Sequence, residues 1–330
     1  MNRRKTCCLF IGLIFLLGIA FIISLISGQI DVSFASLFHL TTEQSSVLFY
    51  IRLPRTLLAG LVGAALAVSG AVLQGVFGNP LADPGMLGVS AGASLGAVIA
   101  VALGLTGVSL FYMPLFALAG ALLTVSIIVV LAFREGRTSV MVLLLSGVAV
   151  SIFLSAFTSG ILTFMNEYRL REFLFWMVGG LDYRRWEHVY LAVGPILLGI
   201  GVLCLMARHL NLLVLGDDEA RSVGVSVAKL RLFFLFTAAF TTAAAVCVSG
   251  NIGFVGLVVP HIMRLLLGAE HRVLLPASAL AGAFFLIFCD TLGRVIIPPI
   301  EIRVGIMTAL LGAPYFLYLL RQTQKKGGLL

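Results

Sequence analysis

The chain has 330 residues and a formal charge of +8, with 60% hydrophobic and only 11% charged residues, and its mean hydropathy is +1.12. Soluble domains carry about 25% charged residues, so this composition excludes a water-soluble globular fold. The positive balance suits Lys and Arg gathered beside anionic headgroups, and no basic face interleaved with polar or aromatic contacts exists to read nucleic acid.

Hydropathy predicts ten spans, at about 8–27, 56–78, 88–106, 113–133, 139–165, 189–207, 230–249, 252–267, 273–293 and 304–320. A hydrocarbon core of about 30 Å needs about 20 residues of helix. Ten such helices leave only short loops, so residues 1–330 read as a single all-α polytopic membrane domain. The first run, Cys7 to Ile26, follows Arg3, Arg4 and Lys5. It is longer than a signal-peptide core of about 7–15 residues and no A-x-A site follows, so it reads as an uncleaved first helix. Cys7, Cys8, Cys204, Cys247 and Cys289 show no C-x-x-C spacing. That argues against a disulfide framework or a metal cluster; acylation of Cys7 and Cys8 is the alternative for that pair.

The second and third spans are organised by the stretch Arg52 to Gly96. Arg52 and Arg55 bracket Leu53-Pro54, an apolar segment rich in Gly and Ala follows, and N-P-L-A-D-P breaks it at 79–84 before a second apolar segment. Small residues at three- and four-residue spacing let helices approach closely within lipid. Asn79 in this turn, and Thr138 before the fifth span, suit helix capping. The loop 166–188 is dense in aromatics, including Tyr168, Trp176, Tyr183 and Trp186. An interfacial belt explains them, with a stacking surface for a planar ligand as the alternative.

The segment 210–229 is the longest polar interruption after the sixth span. Leu210, Leu212, Leu213 and Leu215 predict a short apolar helix that Gly216 ends. Asp217, Asp218 and Glu219 then place negative charge on the first turn of a second helix, through Ala220 and Arg221, with Gly224 as its cap. Two short helices along the membrane surface are expected, and an amphipathic surface helix is the plain reading. G-N-I-G-F-V-G at 250–256 has glycines but no lysine, and G-x-x-x-x-G-K-S/T occurs nowhere, so the chain cannot cradle a nucleotide phosphate. These glycines predict a broken helix, tolerated only against protein or a water-filled cavity.

No enzyme signature emerges. His39, His188, His209, His261 and His271 form no H-E-x-x-H and no paired ligand set. Asp290 lies at membrane depth, with Arg294 its natural i, i+4 partner. Neither metal ligands nor a resident cofactor are expected. Placing both termini in the cytoplasm puts fourteen Lys and Arg inside and eight outside, which favours that orientation. Among the outer eight, Arg303 reads as solvated surface, and Arg52, Arg55 and Arg294 either snorkel to headgroups or serve a partner.

R-L-P-R-T-L, S-G-A-V-L-Q, N-P-L-A-D-P-G-x-L-G-V-S-x-G, G-D-D-E-A-R-S-V-G-V, G-N-I-G-F-V-G-L-V-V-P-H-I-M-R, E-H-R-V-L-L-P and L-G-A-P-Y-F together resemble the FecCD-type permeases along nearly the whole chain. These are membrane subunits of ABC importers for iron-siderophore complexes, haem and cobalamin. The resemblance implies a type II importer permease fold of about ten helices, in a homodimer in the cytoplasmic (inner) membrane. It also implies two cytoplasmic ATPase subunits that bind ATP and magnesium, and an extracytoplasmic substrate-binding protein outside. By resemblance, Arg52, Arg55 and Arg294 pair with glutamates of the binding protein. Leu212, Leu215, Gly216, Asp217, Asp218, Glu219, Ala220, Arg221 and Gly224 form the segment that couples to the ATPase. Asn79, Leu81, Thr138 and Ser139 fall where the pathway narrows at its inner end. The implied cargo is a metal chelate, with ferric siderophore first, haem second and cobalamin third. Readings from other classes are an ion-gradient-driven secondary transporter, which needs intramembrane carboxylates on discontinuous helices, and a non-transporting scaffold.

Overall fold

The computed structural model describes residues 3–28, 41–134, 137–138 and 140–325. Helix α1 is Arg3–Ile26; after it come a short α2, Thr42–Val47, a π-helical turn, Leu48–Arg52, and α3, Leu53–Phe77. Val89–Ala102 is α4 and Tyr112–Ala132 is α5. A two-residue antiparallel pair, Phe133–Arg134 with Arg137–Thr138, joins α5 to α6, Val140–Thr163. Then follow α7, Glu167–Met177; α8, Trp186–Leu205; α9, Ala207–Leu215; and α10, Asp217–Ser222. The last four are α11, Val227–Ser249; α12, Val255–Leu267; α13, His271–Val295; and α14, Val304–Lys325.

All ten predicted spans have a helix. Seven segments are long and apolar enough to cross a membrane, ending in or formed by α1, α3, α5, α6, α8, α11 and α13, whereas α4, α12 and the apolar part of α14 are shorter. The exception to the sequence reading is α7, which occupies what read as a loop. Its start is set by Asn166, whose Oδ1 accepts the Arg169 N–H at 3.0 Å, an N-cap that satisfies an otherwise orphaned donor.

Helix α3 is the hub. It is buried along most of its length and packs against α13, α11, α12 and α8. Lipid tails are as apolar as leucine, so close van der Waals approach has to supply helix association. At the α3–α13 crossing, a Cβ on Gly63 would strike the Gly282 carbonyl, and one on Gly282 would strike Gly63. The α4–α5 crossing repeats this with Gly92 and Gly120. Helix α6 lies at the other extreme, burying only Leu143, Gly147 and Thr158.

Helix α12 is a half-span whose start faces the middle of α3. Gly256 lies against the Leu66 carbonyl and Gly70, so the turn after α11 sits between the two ends of α3. Pro260 has no N–H to offer the carbonyl four residues earlier. Gln74 from α3 supplies the missing donor, its Nε2 reaching the Gly256 and Leu257 carbonyls at 3.3 Å each. Phe254, at the start of this half-helix, adopts φ 68°. The glycine-rich break read from the sequence is therefore real, and its freed backbone is satisfied by protein.

Candidate functional site

In the first turn of α3, Arg55 holds three elements together. Its Nε donates to both carboxylate oxygens of Asp290 on α13 at 3.1 Å, and Nη2 reaches Oδ1 at 3.0 Å. Nη1 donates to Glu301 at 2.7 Å, and Nη2 reaches Asp182 at 3.2 Å. Arg294 completes an i, i+4 ion pair with Asp290 at 3.3 Å, as its spacing predicted.

The neighbouring arginines close helix ends. Arg52 donates through Nη1 to the Leu25 and Ile26 carbonyls, each at 2.9 Å. Arg294 donates to the Ser24 carbonyl at 3.0 Å and to the Ser27 carbonyl at 3.2 Å. Both therefore satisfy the last turn of α1, where carbonyls lack intrahelical donors and the helix dipole favours positive charge. Arg169 does the same for Ala102 at the end of α4, at 2.8 Å. Arg303, read from the sequence as solvated surface, donates to the Phe175 carbonyl at 2.7 Å, pairs with Asp182 at 3.4 Å and lies 4.5 Å above the Phe175 ring. Its backbone partner and anion come from distant segments, which no local pattern could show.

Arg52, Arg55 and Arg294 are thus 4%, 6% and 5% exposed. Direct pairing with another protein's glutamates needs open guanidinium groups, and here all three are engaged internally. Instead Arg52 and Arg294 brace the end of α1, and Arg55 forms part of the wall of a basin of about 610 Å³ together with Tyr50, Asp182, Tyr183, Arg184 and Arg303. Burial pushes the Asp182 carboxyl up, against the opposing pull of Arg55 and Arg303. Burial also lowers Arg184, to about 10. The aromatics of this region divide: Tyr168 and Tyr183 are largely exposed, while Trp176 lies on the buried face of α7 beside Phe173, so a lipid belt does not account for it.

Further in, three chain breaks converge. The Gly180 N–H donates to the Ser249 carbonyl at 2.8 Å, the Gly305 N–H to Gly179 at 3.2 Å, and Ser90 to the Asn251 side chain at 3.1 Å. The 79–84 turn packs close to this point, with Asp83 and Pro84 beside Gly256. Asn79 folds back so that its Oδ1 accepts the Leu81 N–H at 2.8 Å; its side chain orders the turn. Thr138 lies in the short strand pair, and Ser139 falls outside the described residues.

On the opposite face the 210–229 segment forms the two expected helices, α9 and α10, separated by Gly216. Leu210 and Leu213 turn inward, Leu212 is half-buried, and Leu215 is exposed. Asp217 is held by Arg231 of α11 at 2.7 Å, and Arg221 pairs with Asp218 at 3.4 Å. Ala220 is buried and Glu219 exposed. Gly224 takes φ 82°, with its N–H on the Arg221 carbonyl and the Val225 N–H on the Ala220 carbonyl: the Schellman pairing expected of a glycine cap. Exposed Val214 and Val223 extend this surface. A second tie was not read from the sequence. Asn211 of α9 donates to Glu270 at 2.6 Å and accepts from the His271 backbone at 3.0 Å, with His271 Nδ1 2.7 Å from the same oxygen.

All five cysteines are free, and no group of metal ligands occurs among the described residues.

Residues 16–322 match the profile of the FecCD transport family. The hemin transport system permease protein HmuU of Yersinia pestis is 42% identical over 335 residues, covering 99% of this chain and all of that protein. The vitamin B12 import system permease protein BtuC of Klebsiella pneumoniae is 39% identical, over 99% of this chain and 97% of its own length. A solved structure, described as an inward-facing conformation of a metal-chelate type ABC transporter, superposes with a TM-score of 0.88 at 36% identity, covering 96% of this chain and 99% of that one.

Proposed function

Because the chain belongs to the FecCD transport family, we propose that it is the permease subunit of an ATP-driven importer that carries a metal chelate across the cytoplasmic membrane. The observation that supports this best is the α9–α10 unit. It presents exposed Leu215, Val223, Asp218 and Glu219 on a rigid, capped, salt-bridged platform, in a chain whose sequence holds no phosphate-binding loop of its own. A surface of this kind, on the face assigned to the cytoplasm, suits an ATPase partner.

In this reading two copies of the chain enclose the pathway, each seated on one ATPase subunit, with both termini inside. A soluble binding protein delivers cargo to the outer rim. Arg55 serves that docking from the basin wall and Arg52 and Arg294 by bracing the end of α1, and Asn79, Leu81, Thr138 and Ser139 narrow the pathway at its inner end. Nucleotide can drive this cycle only through different affinities for the outward- and inward-open states. An ion-gradient mechanism is disfavoured, because Asp290, the acid within the spanning helix α13, is already paired with Arg55 and Arg294.

Reconstitution with candidate ATPase subunits tests the proposal: uptake into sealed vesicles should require both ATP and the partner. Uptake by the chain alone, driven by an imposed ion gradient, would refute it.

A further inference from the structure

The outer basin carries more positive charge than its own acids balance. Four guanidiniums line it, from Arg55, Arg184, Arg185 and Arg303, against two carboxylates, Asp182 and Glu301. Both acids are already committed: Asp182 to Arg55 and Arg303, and Glu301 to Arg55. Among the described residues neither Arg184 nor Arg185 makes an ion pair within 4 Å, and Arg184 feels Asp182 only at longer range. Arg185 is exposed. Arg184 is sunk into the wall, its Nε buried with no hydrogen-bond acceptor.

Arg184 Nη1 lies 3.3 Å from His188 Nε2, and His188 Nδ1 lies 3.3 Å from the Arg185 backbone nitrogen. A neutral imidazole has one acceptor nitrogen, so it can take only one of these two donors, and it offers nothing to Arg184 Nε. Buried donors without acceptors are costly, and a guanidinium fork is shaped to take a carboxylate through two parallel bonds. Tyr50, Tyr183 and Phe175 border the same space and are 69%, 92% and 50% exposed. Tyr183 adopts φ 57°, a conformation that costs energy outside glycine and is characteristic of functional sites. A volume of about 610 Å³ lies within the range of small-molecule sites, about 300–1,000 Å³.

We infer that this basin is a receiving site for a flat, carboxylate-bearing chelate, with Arg184 and Arg185 as the carboxylate-binding pair and the bordering aromatics contacting its face. The inference rests on the importer reading for its place in the transport cycle, and narrows the cargo from chelates in general to anionic ones with free carboxylates.

The test uses the purified full chain in lipid nanodiscs, without any ATPase, titrated with haemin, haemin dimethyl ester and cyanocobalamin. Haemin should bind about tenfold or more tightly than its diester, the fold-change of a single charge-assisted contact, and this advantage should shrink as salt rises. Arg185→Gln, at an exposed position, and the double variant with Arg184→Gln should erase the advantage while diester binding persists. Arg184→Lys with Arg185→Lys should keep part of it. Equal affinity for haemin and diester, tighter binding of cyanocobalamin, or discrimination surviving in the double Gln variant would each overturn the inference. So would loss of binding-protein affinity with haemin affinity unchanged, which would assign these arginines to docking. ATP-driven uptake of cyanocobalamin or a ferric siderophore, but not haemin, in the reconstituted complex would leave the importer standing and sink this site alone.

Discussion

Arg55 and Asp290 stand 235 residues apart in sequence and meet where the start of α3 packs against the end of α13, with side chains 7% and 1% exposed and nitrogen-to-oxygen distances of 3.0–3.1 Å. Removing one partner of a buried pair strands the other, at a cost of about 3–5 kcal/mol, whereas replacing both by apolar groups can be neutral. Asp290→Leu and Arg55→Leu should each lower the unfolding temperature in detergent markedly, and the double variant should lose much less than their sum. Additive losses would show that the pair is not a coupled unit. For the same reason Arg52→Glu with Arg55→Glu should reduce the yield of folded protein, not only the affinity for a binding protein.

Gly63 and Gly282 make the same crossing at mid-helix. A methyl at either position meets the opposite backbone, and backbone cannot rotate away as a side chain can. Gly63→Val and Gly282→Val should abolish folded expression, while Gly60→Ala, whose new Cβ would sit 3.5 Å from Ile287 Cδ1, should be tolerated. Monodisperse elution of Gly63→Val at wild-type yield would contradict a crossing this close.

The spans were legible because hydropathy over about 20 residues reports on lipid directly. The α9–α10 unit was legible because leucine spacing, an acidic first turn and a glycine cap are local signals. The outer arginines were not. Counted as loop charge, they weaken the positive-inside tally; in the structure Arg52 and Arg294 satisfy α1, Arg169 satisfies α4 and Arg303 satisfies α7. Those pairings join segments between 26 and 270 residues apart, so no window along the chain reveals them. Helix α7 was the opposite case: Asn166, Glu167 and the Glu167–Arg171 pair at 2.9 Å form a local helix-start signal, which the aromatic density of the loop overshadowed.

In the proposed importer, the tie between α9 and the start of α13 is where drive would reach the proposed gate. A methyl on Gly75 would lie 2.9 Å from His271 Nε2 and 3.3 Å from Leu210 Cδ1, wedging α3 away from the Asn211–Glu270–His271 junction. Gly75 itself sits one turn before the 79–84 turn. Gly75→Ala and Asn211→Ala should leave ATPase assembly and hydrolysis near wild type while uptake per ATP falls, within the range of about 5–150-fold typical of coupling between sites. Proportional loss of hydrolysis and uptake would mean that the junction is not in the transmission path.

The proposed partner surface can be separated from the fold that supports it. Leu215 and Val223 are 67% and 65% exposed, so Leu215→Asp and Val223→Asp remove little internal contact and should leave the unfolding temperature nearly unchanged. They should nevertheless weaken ATPase association, because the interface would lose buried apolar area and would have to desolvate a carboxylate. Gly224→Ala acts differently. Its φ of 82° costs an L-residue about 1–2 kcal/mol, which loosens α10 without touching the exposed anchors. Association should then weaken modestly and recover on cooling, as the local helix re-forms. If the two Asp substitutions lower the unfolding temperature as much as Gly224→Ala while co-purification of the ATPase stays intact, the exposed leucine and valine belong to the membrane surface and not to a partner interface.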